Sequence, residues 1–190
     1  WRLRRWTNSG ATLGLFLMAL GTLLAAVPAG AVVVVFPDAA LDAAVRSEIG
    51  KPTGDIYDTD LVGTGFTYLD ASGYGIADLM GLEYCTDLIA LNLYSNQIGD
   101  ISALAGLTNL TGLGLHYNQI TDISALADLT NLTWLDLYDN QISDITALAG
   151  LTNLTWLYLW NNAISDISAL AGLTNLTHLF LNKNQISDIS

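Results

Sequence analysis

Leu107-Thr108-Asn109-Leu110-Thr111-Gly112-Leu113-Gly114-Leu115-His116-Tyr117-Asn118-Gln119-Ile120-Thr121-Asp122-Ile123 is one turn of a repeat, and it returns 22 residues later. Leu-Thr-Asn-Leu-Thr starts again at Leu129, Leu151 and Leu173, and each copy runs on through Leu-x-Leu-x-x-Asn to Ile-x-Asp-Ile. A fixed period of this length marks an array of small units that bury their apolar side only by stacking. The alternation in Trp134-Leu135-Asp136-Leu137 predicts a short strand. The Asn of each copy (Asn96, Asn118, Asn140, Asn162 and Asn184) turns the chain out of that strand. Asp122 to Leu126 is too short for an α-helix and predicts a turn or 3-10 piece.

The period extends upstream of the obvious copies. Leu69, Ala71, Ile76, Leu79 and Leu82 fall in register with Leu91, Leu93, Ile98, Ile101 and Leu104, with Gly73 to Gly75 in place of the Asn turn. Residues 66–190 thus read as five repeats and a sixth from Leu173 that is truncated at the C-terminus. Before them, residues 32–65 predict an N-terminal cap. Asp38 caps a helix over about 38–49 that Gly50 and Pro52 end, and Leu41, Val45 and Ile49 line one side of it. Gly54 to Val62 predicts an extended or turn segment. Residues 1–31 combine basic Arg2, Arg4 and Arg5, an apolar Ala11–Val27 and the small residues Ala29-Gly30-Ala31, the pattern of a secretory signal peptide. An uncleaved membrane anchor is the competing reading, because Val32–Val35 prolongs the apolar run.

The Leu-Thr-Asn-Leu-Thr start, the Asn-Gln-Ile-Ser-Asp-Ile stretch from Asn140, the helix after Phe36-Pro37-Asp38 and Leu69-Asp70-Ala71-Ser72 resemble the internalin-type bacterial leucine-rich-repeat proteins. The resemblance covers Phe36 to Ser190. It implies an α/β leucine-rich-repeat solenoid, right-handed, with parallel strands on the concave face and short turn or 3-10 segments on the convex face. It also implies export, and binding of another macromolecule through the concave face.

Residues 22 apart become neighbours in a solenoid, so columns are the units of chemistry. The Leu and Ile columns are core. The Asn column is structural, its amides serving backbone that lacks a sheet partner. The Asp column (Asp78, Asp100, Asp122, Asp144, Asp166 and Asp188) fits capping of the following segment better than calcium, since the glycine-rich nonapeptides of a calcium β-roll are missing. Asn109, Asn131, Asn153 and Asn175 match the glycosylation sequon because the repeat carries it. Cys85 shares the column of Leu107 and reads as a small buried apolar residue.

The variable columns flank the strand leucines. They hold Trp134, Trp156 and His178, then Asp136, Tyr158 and Phe180, then Tyr94, His116, Tyr138 and Trp160, then Tyr117. Strand alternation puts Trp134, Asp136 and Tyr138 on the side opposite Leu135 and Leu137. With strands about 5 Å apart, Trp134 and Trp156 are expected to stack or meet edge to face. The core already has its Leu and Ile, so this cluster reads as a recognition patch. The plainer alternative is that aromatics favour strands and pack on one another.

All 18 acidic residues lie beyond Pro37, with Arg46, Lys51 and Lys183 the basic ones there, so removal of the leader leaves 3 − 18, a net charge of −15. That surface repels nucleic acid and anionic lipid. Membrane contact is expected only through the leader or an anchor outside this sequence. No phosphate loop, metal spacing or activated nucleophile stands out, so neither catalysis, a metal nor a cofactor is expected. The expected function is a secreted or cell-surface protein that binds a protein or polysaccharide partner on its aromatic concave face. The alternative is a non-catalytic targeting or spacer module of a larger secreted enzyme or scaffold.

Overall fold

The computed structural model describes residue 27 and residues 29–187. The leader expected over 1–31 and Asp188 of the Asp column fall wholly or largely outside the described residues. From Tyr68 the chain repeats one coil. A three-residue strand comes first, then a tight turn and an extended run, then a 3-10 turn that leads back to the next strand. The strands are β3 (Tyr68–Asp70), β4 (Ala90–Asn92), β5 (Gly112–Gly114), β6 (Trp134–Asp136), β7 (Trp156–Tyr158) and β8 (His178–Phe180). They form one parallel sheet in sequence order, with Leu69, Leu91, Leu113, Leu135, Leu157 and Leu179 in register. The return segments carry 3-10 turns at Leu82–Tyr84, Ser102–Leu104, Ser124–Leu126, Thr146–Leu148 and Ser168–Leu170. This is the solenoid with short 3-10 turns that the 22-residue period implies.

One apolar cluster runs through the stack, and Leu110, Leu113, Leu115, Ile120, Leu126 and Leu129 of a single coil are all fully buried in it. A coil this narrow has no interior of its own, so each leucine is buried by the coils above and below it. Cys85 is fully buried in that cluster. Burial first, then the Glu83 charge, pushes its thiol up to about 12. This is an inert packing residue.

Two columns close the backbone. Asn118 donates from Nδ2 to the carbonyls of Leu93 (3.0 Å) and Leu115 (3.0 Å), and its Oδ1 accepts from Ile98 N (3.0 Å). Asn96, Asn140, Asn162 and Asn184 repeat the pattern. Each Asn thus ties its own coil to the preceding one where the sheet has ended. The Asp column caps the return segment. Asp100, Asp122, Asp144 and Asp166 each accept from the backbone N–H two residues on, at 2.8 Å. Those backbone bonds, with help from the Ser102, Thr146 and Ser168 hydroxyls, hold the carboxyls of Asp100, Asp144 and Asp166 below the usual carboxylate range. Asn109, Asn131, Asn153 and Asn175 donate from Nδ2 to carbonyls of the previous coil at 2.8–2.9 Å. The amide that a glycan would occupy is therefore already in use as a coil-to-coil tie.

The chain upstream packs over the first coil. Helix α1 (Ala39–Glu48) is capped by Asp38, whose Oδ1 accepts from Ala40 N and Leu41 N, and it buries Leu41 and Val45. Asp38 also reaches the repeats, accepting from Ala77 N at 2.9 Å. Strand β1 (Val33–Val34) pairs antiparallel with β2 (Ile56–Tyr57). The middle of the Val32–Val35 run, Val33–Val34, is therefore a strand of this covering unit. Among the described residues no helix is long and apolar enough to cross a membrane. One expectation needs correction. The Gly54–Val62 segment is not wholly extended or turn, because Asp58–Leu61 forms a single helical turn, α2. Asp60 organises it locally, accepting from Tyr57 N at 2.7 Å and pairing with Lys51 at 2.6 Å.

Candidate functional site

Strand alternation sends Leu91, Leu113, Leu135 and Leu157 into the core and their neighbours onto the open face of the sheet. The parallel hydrogen bonding continues past each strand, with Leu93 N on Gly114 O (2.8 Å), Leu115 N on Asp136 O (2.8 Å) and Leu137 N on Tyr158 O (2.9 Å). The column after the strands therefore rides on the same ladder. Tyr94, His116, Tyr138 and Trp160 stack ring on ring along it, with centroids 4.6, 4.5 and 4.6 Å apart and planes within 4°, 17° and 13°. These separations are the strand spacing itself. The ε-ammonium of Lys183 closes the row, 5.3 Å from the Trp160 ring.

A second set of rings lies nearer the strand starts. Trp156 stacks on His178 at 3.5 Å and lies 6.3 Å from Tyr158, which stacks on Phe180 at 4.7 Å. Trp156 and Phe180 are 38% and 39% exposed, so this set faces solvent. The open face thus brings together ten of the eleven residues expected to form a patch: Tyr94, His116, Trp134, Asp136, Tyr138, Trp156, Tyr158, Trp160, His178 and Phe180. The eleventh, Tyr117, stands at its edge, with its ring against His116 (5.7 Å) and Tyr138 (4.9 Å).

The expected contact between Trp134 and Trp156 is not among the ring pairs of the described residues. Trp134 instead leans over the preceding strand, whose glycines leave room for the indole. A Cβ on Gly114 would lie 3.2 Å from Trp134 Cη2 and 2.8 Å from Asn92 Oδ1, and one on Gly112 would lie 3.6 Å from Trp134 Cε3. The physical cause is the missing side chains at 112 and 114, and Gly-x-Gly inside a strand was the available signal.

A second feature escaped sequence reasoning. Ser95, Tyr117, Asp139, Asn161 and Lys183 all have φ between 52° and 57°. For residues other than glycine this left-handed backbone costs roughly 1–2 kcal/mol each. It breaks the strand alternation, so that Asn118 turns inward and Tyr117 is thrown outward, 49% exposed. Gly73 occupies the same column in the first coil at φ 73° and is the one letter that hints at it.

Acid lies beside the aromatic row. Asp136 is only 6% exposed. Its Oδ1 accepts from Tyr138 N at a long 3.3 Å. Its Oδ2 is 3.3 Å from His116 Nδ1, yet the angle makes no hydrogen bond and that nitrogen is closed off from solvent. Asp139 sits one turn outward and accepts from Asn161 Nδ2. Burial first, then Tyr117 and the charges of Asp136 and Asp139, push the Tyr138 hydroxyl up to about 12. Among the described residues, no group of three or more His, Cys, Asp or Glu is placed to hold a metal ion. Among the described residues, grooves lie between successive 3-10 turns, lined by capping residues such as Asp122, Ser124, Asp144 and Thr146, and one lies in the N-terminal unit beside Lys51 and Asp60. Those between the turns recur with the coil and follow from stacking. The rings form a broad surface instead.

Comparison with known proteins agrees with this architecture. Residues 108–150 and 152–190 match the family described as Leucine Rich repeats (2 copies). Over 70 residues the chain is 44% identical to Internalin H of Listeria monocytogenes, an alignment covering 36% of this chain and 12% of that protein. The crystal structure of internalin InlF from Listeria monocytogenes aligns with a TM-score of 0.77 at 40% identity, over 81% of this chain and 46% of that one. Internalin C2 of the same species aligns with a TM-score of 0.53 at 37% identity, over 82% and 88%. The sequence thus spans a small part of Internalin H and about half of InlF.

Proposed function

Because the chain belongs to the internalin-type bacterial leucine-rich-repeat proteins, we propose that it is an exported or surface-displayed binding protein that grips a protein or glycan on the concave, aromatic face of its sheet. The stacked row Tyr94–His116–Tyr138–Trp160, flanked by the exposed Trp156 and Phe180 and the half-buried Tyr158, carries the proposal. The core is complete without these rings, and exposed aromatic area of this kind is where binding energy concentrates. The basic and apolar residues 1–31 supply the export signal in this reading, and 32–65 the cap of the repeat array.

The test uses Trp156→Ala combined with Trp160→Ala, side chains outside the core. The intact chain is immobilised and screened against glycan arrays and purified extracellular proteins, and the double variant is measured on every hit. Binding is expected to fall at least tenfold with an unchanged circular dichroism spectrum. Equal binding by the folded double variant refutes the site.

A further inference from the structure

We propose that the partner presents a basic, arginine-bearing protein segment, whose guanidinium groups settle on the aromatic face beside the carboxylates of Asp136 and Asp139; this deepens the concave-face reading and rests on it. Three independent features converge on a cation. The first is the charge balance. Beyond Pro37 there are 18 acids against Arg46, Lys51 and Lys183. Arg46 is paired with Asp42 and Lys51 with Asp60, both in the N-terminal unit. Among the described residues Lys183 is the lone lysine or arginine on the face itself, and it stands at the far end of the row.

The second is the buried carboxylate. Asp136 is taken out of water beside the rings, and the structure gives it one long backbone bond and a histidine nitrogen 3.3 Å away that makes no hydrogen bond. Burying a carboxylate with so little compensation is costly, and its field is weakly screened there. It adds to the negative potential that the ring faces already carry.

The third is Lys183 itself. Its ammonium rests 5.3 Å from the centroid of Trp160, so the row already takes one cation on its terminal ring. A partner's cations would meet the carboxylates and those ring faces on the same surface that no neighbouring ring covers. Arginine fits better than lysine because its plane stacks on an aromatic face and its fork can reach a carboxylate such as Asp139 at the rim.

The experiment is isothermal titration of the full chain with three blocked peptides: a Gly-Arg tetrarepeat, a Gly-Lys tetrarepeat and a Gly-Ser tetrarepeat, and with cellohexaose as a neutral glycan. Arginine peptide is expected to bind at least about fivefold tighter than lysine peptide, and the serine peptide and the glycan are expected not to bind. Asp136→Asn with Asp139→Asn, two near-isosteric changes, should weaken the arginine peptide about tenfold or more. Asp55→Asn with Asp128→Asn removes the same charge from exposed sites elsewhere and should change it less than twofold. Equal weakening by the two charge pairs would reduce the effect to bulk attraction and overturn the proposal. Binding of cellohexaose without the arginine peptide would overturn it too; if the Trp156/Trp160 variant abolishes that glycan binding, the concave-face function stands while the cationic partner falls. Peptide binding indifferent to both the tryptophan and the aspartate variants would sink both.

Discussion

Asn140→Leu tests the internal ladder that holds the coils in register. Asn140 Oδ1 is the acceptor for Ile120 N at 3.0 Å, and Leu in its place leaves that N–H without a partner. Asn140 Nδ2 donates to Leu115 O and Leu137 O, both at 3.1 Å. Each carbonyl retains a second bond, Leu115 O from Asn118 and Leu137 O from Asn162. One orphaned buried donor costs about 1–3 kcal/mol, and two lost carbonyl bonds add about 0.5–1 kcal/mol each, a total of about 2–5 kcal/mol. Asn153→Leu is the internal control. Asn153 makes one exposed bond, to Thr130 O at 2.8 Å, where water takes its place, so about 0.5–1 kcal/mol is expected. Urea unfolding followed by circular dichroism reads the difference, and hydrogen exchange should show Ile120 N–H losing protection first. Equal losses for the two substitutions, or less than about 1 kcal/mol for Asn140→Leu, would refute the ladder's role.

Other substitutions test the site and the cap. Gly114→Ala puts a Cβ 3.2 Å from Trp134 and 2.8 Å from Asn92, so the indole should be displaced with the fold retained, seen as a shift in tryptophan emission; Gly106→Ala, with nothing within 4 Å, should leave the emission unchanged. Asp38→Ala removes a helix cap, a loss of about 0.5–2 kcal/mol, and frees Ala77 N as well. Burial pushes the Asp38 carboxyl up, but backbone N–H bonds from Ala77, Leu41, Ala40 and Asp78 outweigh it and hold it below its ordinary value. Its contribution is therefore complete above the unfolded value, near pH 4, and is lost as pH falls through the lower folded value. The gap between wild type and Asp38→Ala in acid titrations should close in that window, and a gap that widens there would contradict the cap. Cys85, with its thiol pushed up to about 12, should resist iodoacetamide at pH 8 in the native protein and react on unfolding in urea; rapid native labelling would show that the coil around it opens.

Period and alternation made the solenoid legible because both are properties of single letters. Leucine at every second position builds a strand with one apolar side, and return of the same letters after 22 residues places Leu113 on Leu135 and Leu135 on Leu157. The Asn and Asp columns were readable for the same reason. An amide at a turn and a carboxylate two residues before a free N–H have few other partners. Asp58–Leu61 was not readable, since its turn depends on Asp60 meeting both Tyr57 N and Lys51.

By itself the sequence determined which residues share the open face, because a two-residue alternation and a fixed period assign every side chain a side and a column. How those side chains arrange themselves was decided only by the tertiary structure. Trp134 follows the space left by Gly112 and Gly114 and turns away from Trp156, which pairs with His178. Tyr94, His116, Tyr138 and Trp160 become one continuous stack only when the backbone ladder continues past the strands and sets the rings about one strand spacing apart. The left-handed residues at 95, 117, 139, 161 and 183 carry no common letter. Their conformation is imposed by the Asn that follows each of them, whose amide must reach inward to satisfy the backbone of two coils at once.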